Sequence, residues 1–251
     1  MINIDDIIKF AEDKEWSSRE GARFVDKLSE KITGRIARSR HTDVTFVLYI
    51  IKELMGDKCK KVLDIGTLWG GSTITMMQSE YPSLFISIDL FDGYYNQYAG
   101  ERDGFGGVDP VTDSYSYMSK LKNTIDIVEE NIEKTNIHKH KYELIKGNST
   151  SKKVINKVKS LVDNIDLLFI DGDHTKEGVL KDWNNYSEMV SKGGVVIFDD
   201  YWTSNMKGGW TDKKWMDIVG AYNEIKNEQD FNKKWKEIGL FGDKKITQRI
   251  K

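Results

Sequence analysis

The chain has 251 residues, with 38 Lys and Arg against 40 Asp and Glu and a formal net charge of −2. That length suits one α/β domain, or one domain with a small extension, and lets about three quarters of the unfolded surface be buried without covalent staples. Near-balanced, interspersed charge offers no field for nucleic acid. One cysteine, Cys59, excludes an internal disulfide and any Cys-rich metal centre. No apolar run reaches ~18 residues and no basic-then-apolar leader opens the chain, so a soluble, cytoplasmic protein in contact with neither membrane nor nucleic acid is expected.

Residues 1 to about 55 read as helical. Ile4, Ile7, Ile8 and Ala11 space one apolar stripe, Phe24, Val25, Leu28 and Ile32 a second, and Val44, Phe46, Val47, Ile50, Ile51 and Leu54 a third. These helices are expected to form an N-terminal extension (1–55) to a main domain (56–251), the last of them packing on the sheet.

Lys61-Val62-Leu63-Asp64-Ile65 then reads as a buried strand of a parallel sheet, running through Gly66-Thr67-Leu68-Trp69-Gly70-Gly71 into a helix. Ser72 and Thr73 fall where a helix start wants hydroxyls for its orphan N–H groups. This is how a Rossmann-like sheet opens, and ligands bind beyond the carboxyl ends of its strands. A dinucleotide turn needs glycine at the place of Leu68, so a pyrophosphate is disfavoured. Asp89 ends the next apolar run, Leu84–Asp89, and is placed to accept the hydroxyls of a ribose. Ribose without pyrophosphate indicates an adenosine-type cofactor. On these residues alone, a Gly-containing turn of some other α/β domain fits equally well.

Residues 90–107 hold five glycines among aromatics, Asn, Gln and Arg. A loop of that length and composition after the cofactor strand suits a substrate-covering lid, with Tyr94, Tyr95, Asn96 and Arg102 as candidate substrate contacts. Arg102 would suit a phosphate. Leu121, Ile125, Val128 and Ile132 follow helical spacing. Tyr142–Lys146 is a short strand ended by Gly147-Asn148-Ser149, where Ser149 is also a candidate cap for the helix carrying Val154, Ile155, Val158 and Leu161. His41, His138 and His140 read as exposed or helix-associated and receive no role.

Two further buried strands end in acidic residues: Ile165–Ile170 before Asp171-Gly172-Asp173-His174, and Gly193–Phe198 before Asp199-Asp200-Tyr201. Asp171, Asp199 and Asp200 in one cleft would repel unless protonated or bridged by a cation, and an all-oxygen set of that density suits Mg²⁺. His174 titrates near neutrality and is a candidate general base, with Asp173 the competing choice. Tyr201, Trp202 and Trp210 are either a wall for stacking a sugar or core anchors of their loop. Residues 235–250 read as two strands joined by Gly242-Asp243, a terminal hairpin.

Taken in order, the D-I-G-T-x-x-G-G-S-T turn, the F-I-D-G-D-H strand end and the G-G-V-V-I-F-D-D-Y strand end resemble the class I S-adenosylmethionine-dependent methyltransferases. The likeness is to the branch of macrolide and sugar O-methyltransferases and cephalosporin hydroxylase-like proteins, and it covers about residues 60–205. It implies a mostly parallel seven-stranded sheet with an antiparallel C-terminal strand, and an N-terminal segment that roofs the site or joins subunits. It implies S-adenosylmethionine held by Gly66, Thr67, Ser72, Asp89 and Asp171, with Asn148 and Ser149 at the adenine. It also implies Mg²⁺ or a similar ion on Asp171, Asp199 and Asp200, His174 as base beside Asp171, and a sugar-type acceptor contacted by the lid and Tyr201. A homo-oligomer is the family analogy. The competing functions are a metal-independent N- or O-methyltransferase, a nicotinamide-dependent oxidoreductase, and a cofactor-binding protein without chemistry.

Overall fold

The computed structural model describes residues 2–13, 18–34, 36, 45–91, 124–201 and 217–251. Val44, Tyr94, Tyr95, Asn96, Arg102, Leu121, Trp202, Trp210 and His41 lie outside them, and with them the expected lid.

Seven strands form one sheet: β1 (Lys61–Ile65), β2 (Leu84–Asp89), β3 (Lys141–Lys146), β4 (Ile165–Ile170), β5 (Val190–Phe198), β6 (Trp235–Phe241) and β7 (Lys244–Arg249). Their order is β3-β2-β1-β4-β5-β7-β6. The first five are parallel, and β7 is antiparallel to both its neighbours, as the terminal hairpin required. The turn between β6 and β7 is Gly242-Asp243, with Gly242 at φ +59, the positive value that a two-residue hairpin of type II′ needs at its first position. The order in which strands are added switches from one side of β1 to the other between β3 and β4, so the crevice beyond the carboxyl ends of β1 and β4 is the topological switch point where such sheets bind ligands.

Alternation along each strand divides the core into two layers. Leu63, Ile65, Ile86, Ile88, Leu168, Ile170, Val196 and Phe198 face one side. There they meet α6 (Lys152–Leu161), α7 (Lys176–Tyr186) and α8 (Ile218–Lys226). Val62, Phe85, Leu167, Phe169, Val195, Ile197 and Ile246 face the other. That side is covered by α1 (Ile4–Asp13), α2 (Ser18–Ser29), α3 (Phe46–Met55), α4 (Gly71–Met76) and α5 (Ile125–Thr135).

Several local expectations change. Ile8 is 42% exposed although Ile7 beside it is fully buried, so the first stripe is narrower than its spacing suggested. Lys52 is fully buried in α3, its ammonium donating to the Tyr81 carbonyl at 3.1 Å. His140 is buried as well: its Nδ1 accepts from the Ser83 amide (3.2 Å) and its Nε2 meets the Ser79 carbonyl (2.9 Å). It ties the start of β3 to the segment before β2, and burial lowers its pKa. The third acidic strand begins at Val190 rather than Gly193. Its pairing with β4 shifts register near Gly193, which has φ +84.

Candidate active site

The turn after β1 is held from below and from the side. Gly66 has φ +90, and a Cβ there would lie 2.0 Å from the Asp171 carbonyl oxygen, so only glycine lets the β1 and β4 ends meet. Leu68, where a dinucleotide turn carries glycine, adopts φ +52. Its amide donates to Asp89 Oδ2 at 2.8 Å, and the Phe91 amide donates to Asp89 Oδ1 at 3.1 Å. Asp89, expected at the ribose, therefore also fixes this turn through Oδ2 and the residues after β2 through Oδ1.

The hydroxyls of Ser72 and Thr73 do not cap α4. Gly70, in left-handed conformation, stands at the N-cap, and both hydroxyls donate inward to Asp64 Oδ2 at 2.6 Å. Thr67 is buried beside them, 3.4 Å from the Thr73 hydroxyl. Burial pushes the pKa of Asp64 up against these hydrogen bonds, and its Oδ1 is buried without a partner. Asn131 closes the far side. Its Nδ2 donates to the carbonyls of Thr33 (2.8 Å) and Trp69 (3.0 Å), and its Oδ1 accepts from the Thr33 amide (2.8 Å). Asp64 opens the D-I-G-T turn motif without being given a role of its own, and Asn131 sits in a segment read only for its apolar neighbours.

At the end of β3, Asn148 folds onto its own loop and accepts from the amide and hydroxyl of Thr150. Ser149 does not cap α6; Ser151 does, while the Ser149 carbonyl accepts from the Tyr186 hydroxyl at 2.6 Å. Beneath lies Asp182 of α7, fully buried. Burial pushes its pKa up to about 7 against a nearby Ser149 hydroxyl, and neither of its oxygens makes a well-formed hydrogen bond.

The acidic strand ends do converge. His174 Nε2 lies 2.9 Å from Asp171 Oδ1, and His174 Nδ1 lies 3.5 Å from Asp200 Oδ2. Burial opposes a charged His174, but the hydrogen bond to Asp171 and the charges of Asp200, Asp171 and Asp199 outweigh it and push its pKa up to about 9. Burial and the charge of Asp199 hold Asp171 well above the usual carboxylate range. Both shifts favour a proton held on the His174–Asp171 pair. Asp200 has φ +50, a strained value for a non-glycine residue, and its amide donates to Asp199 Oδ1 at 2.8 Å.

Among the described residues, two trios offer ligand atoms within 4.8 Å of one another: Asp171, His174 and Asp200, and Asp199, Asp200 and Asp243. Carboxylate oxygens with one imidazole fit Mg²⁺ or Mn²⁺. The expected set of Asp171, Asp199 and Asp200 is thus divided, because Asp199 is ion-paired with Lys244, which also lies 2.7 Å from Asp243 Oδ1. Burial disfavours the ammonium, yet Asp199, Asp243 and Asp200 outweigh it and keep Lys244 charged. Sequence reading missed Asp243 and Lys244, which resemble an ordinary solvated turn. Tyr201 is core rather than cleft wall: it is 8% exposed, with its ring 5.6 Å from that of Tyr222 and the Lys245 ammonium 5.3 Å from its centre.

The profile of the family described as methyltransferase domain matches residues 63–201, a span that starts on β1, takes in the glycine turn and ends past Asp199 and Asp200. The chain belongs to that family, the class I group expected from its motifs. The uncharacterized protein R132 of Acanthamoeba polyphaga mimivirus is 32% identical over 139 residues, covering 55% of this chain and 50% of its own. The chain thus spans about half the length of that curated relative. The O-methyltransferase of Bacillus cereus, solved in complex with SAH, superposes with a TM-score of 0.56 at 15% identity over 99% of this chain and 98% of that one. The O-methyltransferase TomG of Streptomyces achromogenes, solved with SAM, gives 0.56 at 14% identity over 90% and 89%. Likeness at these identities establishes the shared fold. No helix among the described residues is long and apolar enough to cross a membrane.

Proposed function

We propose that the chain is an S-adenosylmethionine-dependent O-methyltransferase acting on a hydroxyl of a sugar, sugar nucleotide or glycosylated small molecule, assisted by Mg²⁺ or a similar ion. One observation carries this reading. The Gly66 turn abuts the Asp171 backbone, so a donor seated on that turn lies beside the Asp171–His174–Asp200 group. The sugar-type acceptor rests on the motif resemblance alone.

Gly66, Thr67, Ser72 and Asp89 line the donor end, Asn148 and Ser149 its adenine side. In the neutral His174, Nε2–H donates to Asp171, which leaves Nδ1 as the basic atom on the Asp200 side. The acceptor O–H gives its proton to His174, the oxygen bonds the methyl carbon, and the carbon–sulfur bond breaks to release S-adenosylhomocysteine. A divalent cation held by the carboxylates of Asp171 and Asp200 would, when bound, make the acceptor hydroxyl more acidic and orient it, leaving the His174 lone pair free to act as base. The carboxylates hold the histidine's orientation and stabilise it once protonated.

The test is label transfer from methyl-labelled S-adenosylmethionine to a panel of nucleotide sugars and glycosides, with Mg²⁺ and with excess chelator. Transfer to a sugar hydroxyl that chelator suppresses is the expected result. Transfer only to nitrogen acceptors, or undiminished transfer in chelator, would overturn the acceptor or the metal part. Binding of NAD in preference to S-adenosylmethionine would overturn the whole.

A further inference from the structure

Lys244 is delivered to the acidic centre by sheet register. β7 pairs antiparallel with β5, Lys245 lying opposite Phe198, which sets Lys244 opposite Asp199. Alternation sends Lys245 to the other face, where it meets Glu237 at 3.0 Å and the rings of Tyr201 and Tyr222. Lys244 instead turns into the cluster, with its side chain 6% exposed, and bonds two of the three carboxylates of the second trio, Asp199 and Asp243. A buried lysine fixed in this way differs from a surface lysine, which swings freely in water.

We propose that Lys244 is a tethered cation that permanently fills one of two cation positions at this centre. It takes Asp199 out of the ligand set, confines a divalent ion to the carboxylates of Asp171 and Asp200 beside His174, and limits the affinity for that ion by placing a like charge beside it. The inference rests on the divalent-ion part of the functional reading and adds a residue that sets the ion's position and affinity.

Mn²⁺ binding to the metal-stripped full chain, followed by electron paramagnetic resonance, tests it without reference to turnover. Lys244→Met should bind Mn²⁺ at least about tenfold more tightly than the unaltered chain, while Lys244→Arg stays close to it. Should Lys244→Met fail to fold, Asp199→Asn and Asp200→Asn decide in the natural background. Asp199→Asn should leave Mn²⁺ affinity within about threefold, and Asp200→Asn should lose at least about thirtyfold. Equal affinity of Lys244→Met and the unaltered chain, or equal losses for the two Asp variants, would overturn the proposal and leave the metal reading standing. Binding to Lys244→Met with none to the unaltered chain would overturn both the confinement of a divalent ion beside Lys244 and the metal reading of the natural enzyme. No binding to any of them would overturn both.

Discussion

At the scale of single residues, His174 makes the strongest claim. As the base it should be needed for turnover but not for holding the donor. His174→Ala is expected to lose about 10²–10⁴-fold in kcat while keeping S-adenosylhomocysteine affinity within about threefold by calorimetry. Because the carboxylates around it push its pKa up to about 9, the residual activity left in chelator should rise with pH through that region. A pH-rate profile flat from neutrality upward would contradict this. Asp182 supplies a stability test. Its pKa of about 7 when folded lies above the ordinary carboxylate value, so the folded state holds the proton more tightly. The stabilisation is complete below about pH 4 and is lost as pH rises through 7, amounting to a few kcal/mol. Asp182→Asn should flatten the fall in melting temperature between pH 5 and 8; an unaltered slope would show that Asp182 is not the source. Lys52, His140 and Lys244 were illegible for a common reason. Composition-level reading assigns charged residues to water, and only the partners brought by distant segments make their burial tolerable.

At the scale of elements, the strands were readable because a buried parallel strand has little choice of residue. Continuous runs such as Leu84–Ile88 and Leu167–Ile170, each closed by an aspartate, occur almost nowhere else. The joints were harder. Ser72 and Thr73 looked like caps, but α4 is only six residues long and is entered through the left-handed Gly70, so their hydroxyls reach Asp64 instead. The N-terminal segment is tied to this joint by Asn131 through three hydrogen bonds to Thr33 and Trp69. Asn131→Leu should therefore cost about 3 kcal/mol in chemical denaturation, since it leaves buried backbone groups unpaired. A loss below about 0.5 kcal/mol, the size of an ordinary surface change, would show that the clamp contributes little. Gly66→Ala is the sharper change. The added Cβ has no room against the Asp171 carbonyl and the backbone has positive φ. Measurable donor binding in that variant would mean that the β1 and β4 ends need not touch.

For the whole molecule, topology determines which chemistry is brought together. The order β3-β2-β1-β4-β5-β7-β6 brings the Gly66 turn, Asp171 and the Asp199-Asp200 pair to neighbouring strand ends, and the returning β7 adds Lys244 from the far end of the chain. The mostly parallel sheet and its reversed strand were legible from motif order, whereas the second cation position was not, because it depends on the pairing of residues 198 and 245. Donor and acidic centre sharing one crevice is the central claim, and it can be read directly. Methyl-¹³C S-adenosylmethionine bound to the full chain is titrated with Mn²⁺ and its methyl line width followed by NMR. The methyl signal should broaden beyond detection and return on displacement with excess Mg²⁺. A bound donor whose methyl line stays sharp at saturating Mn²⁺ would place the two sites apart and contradict the account.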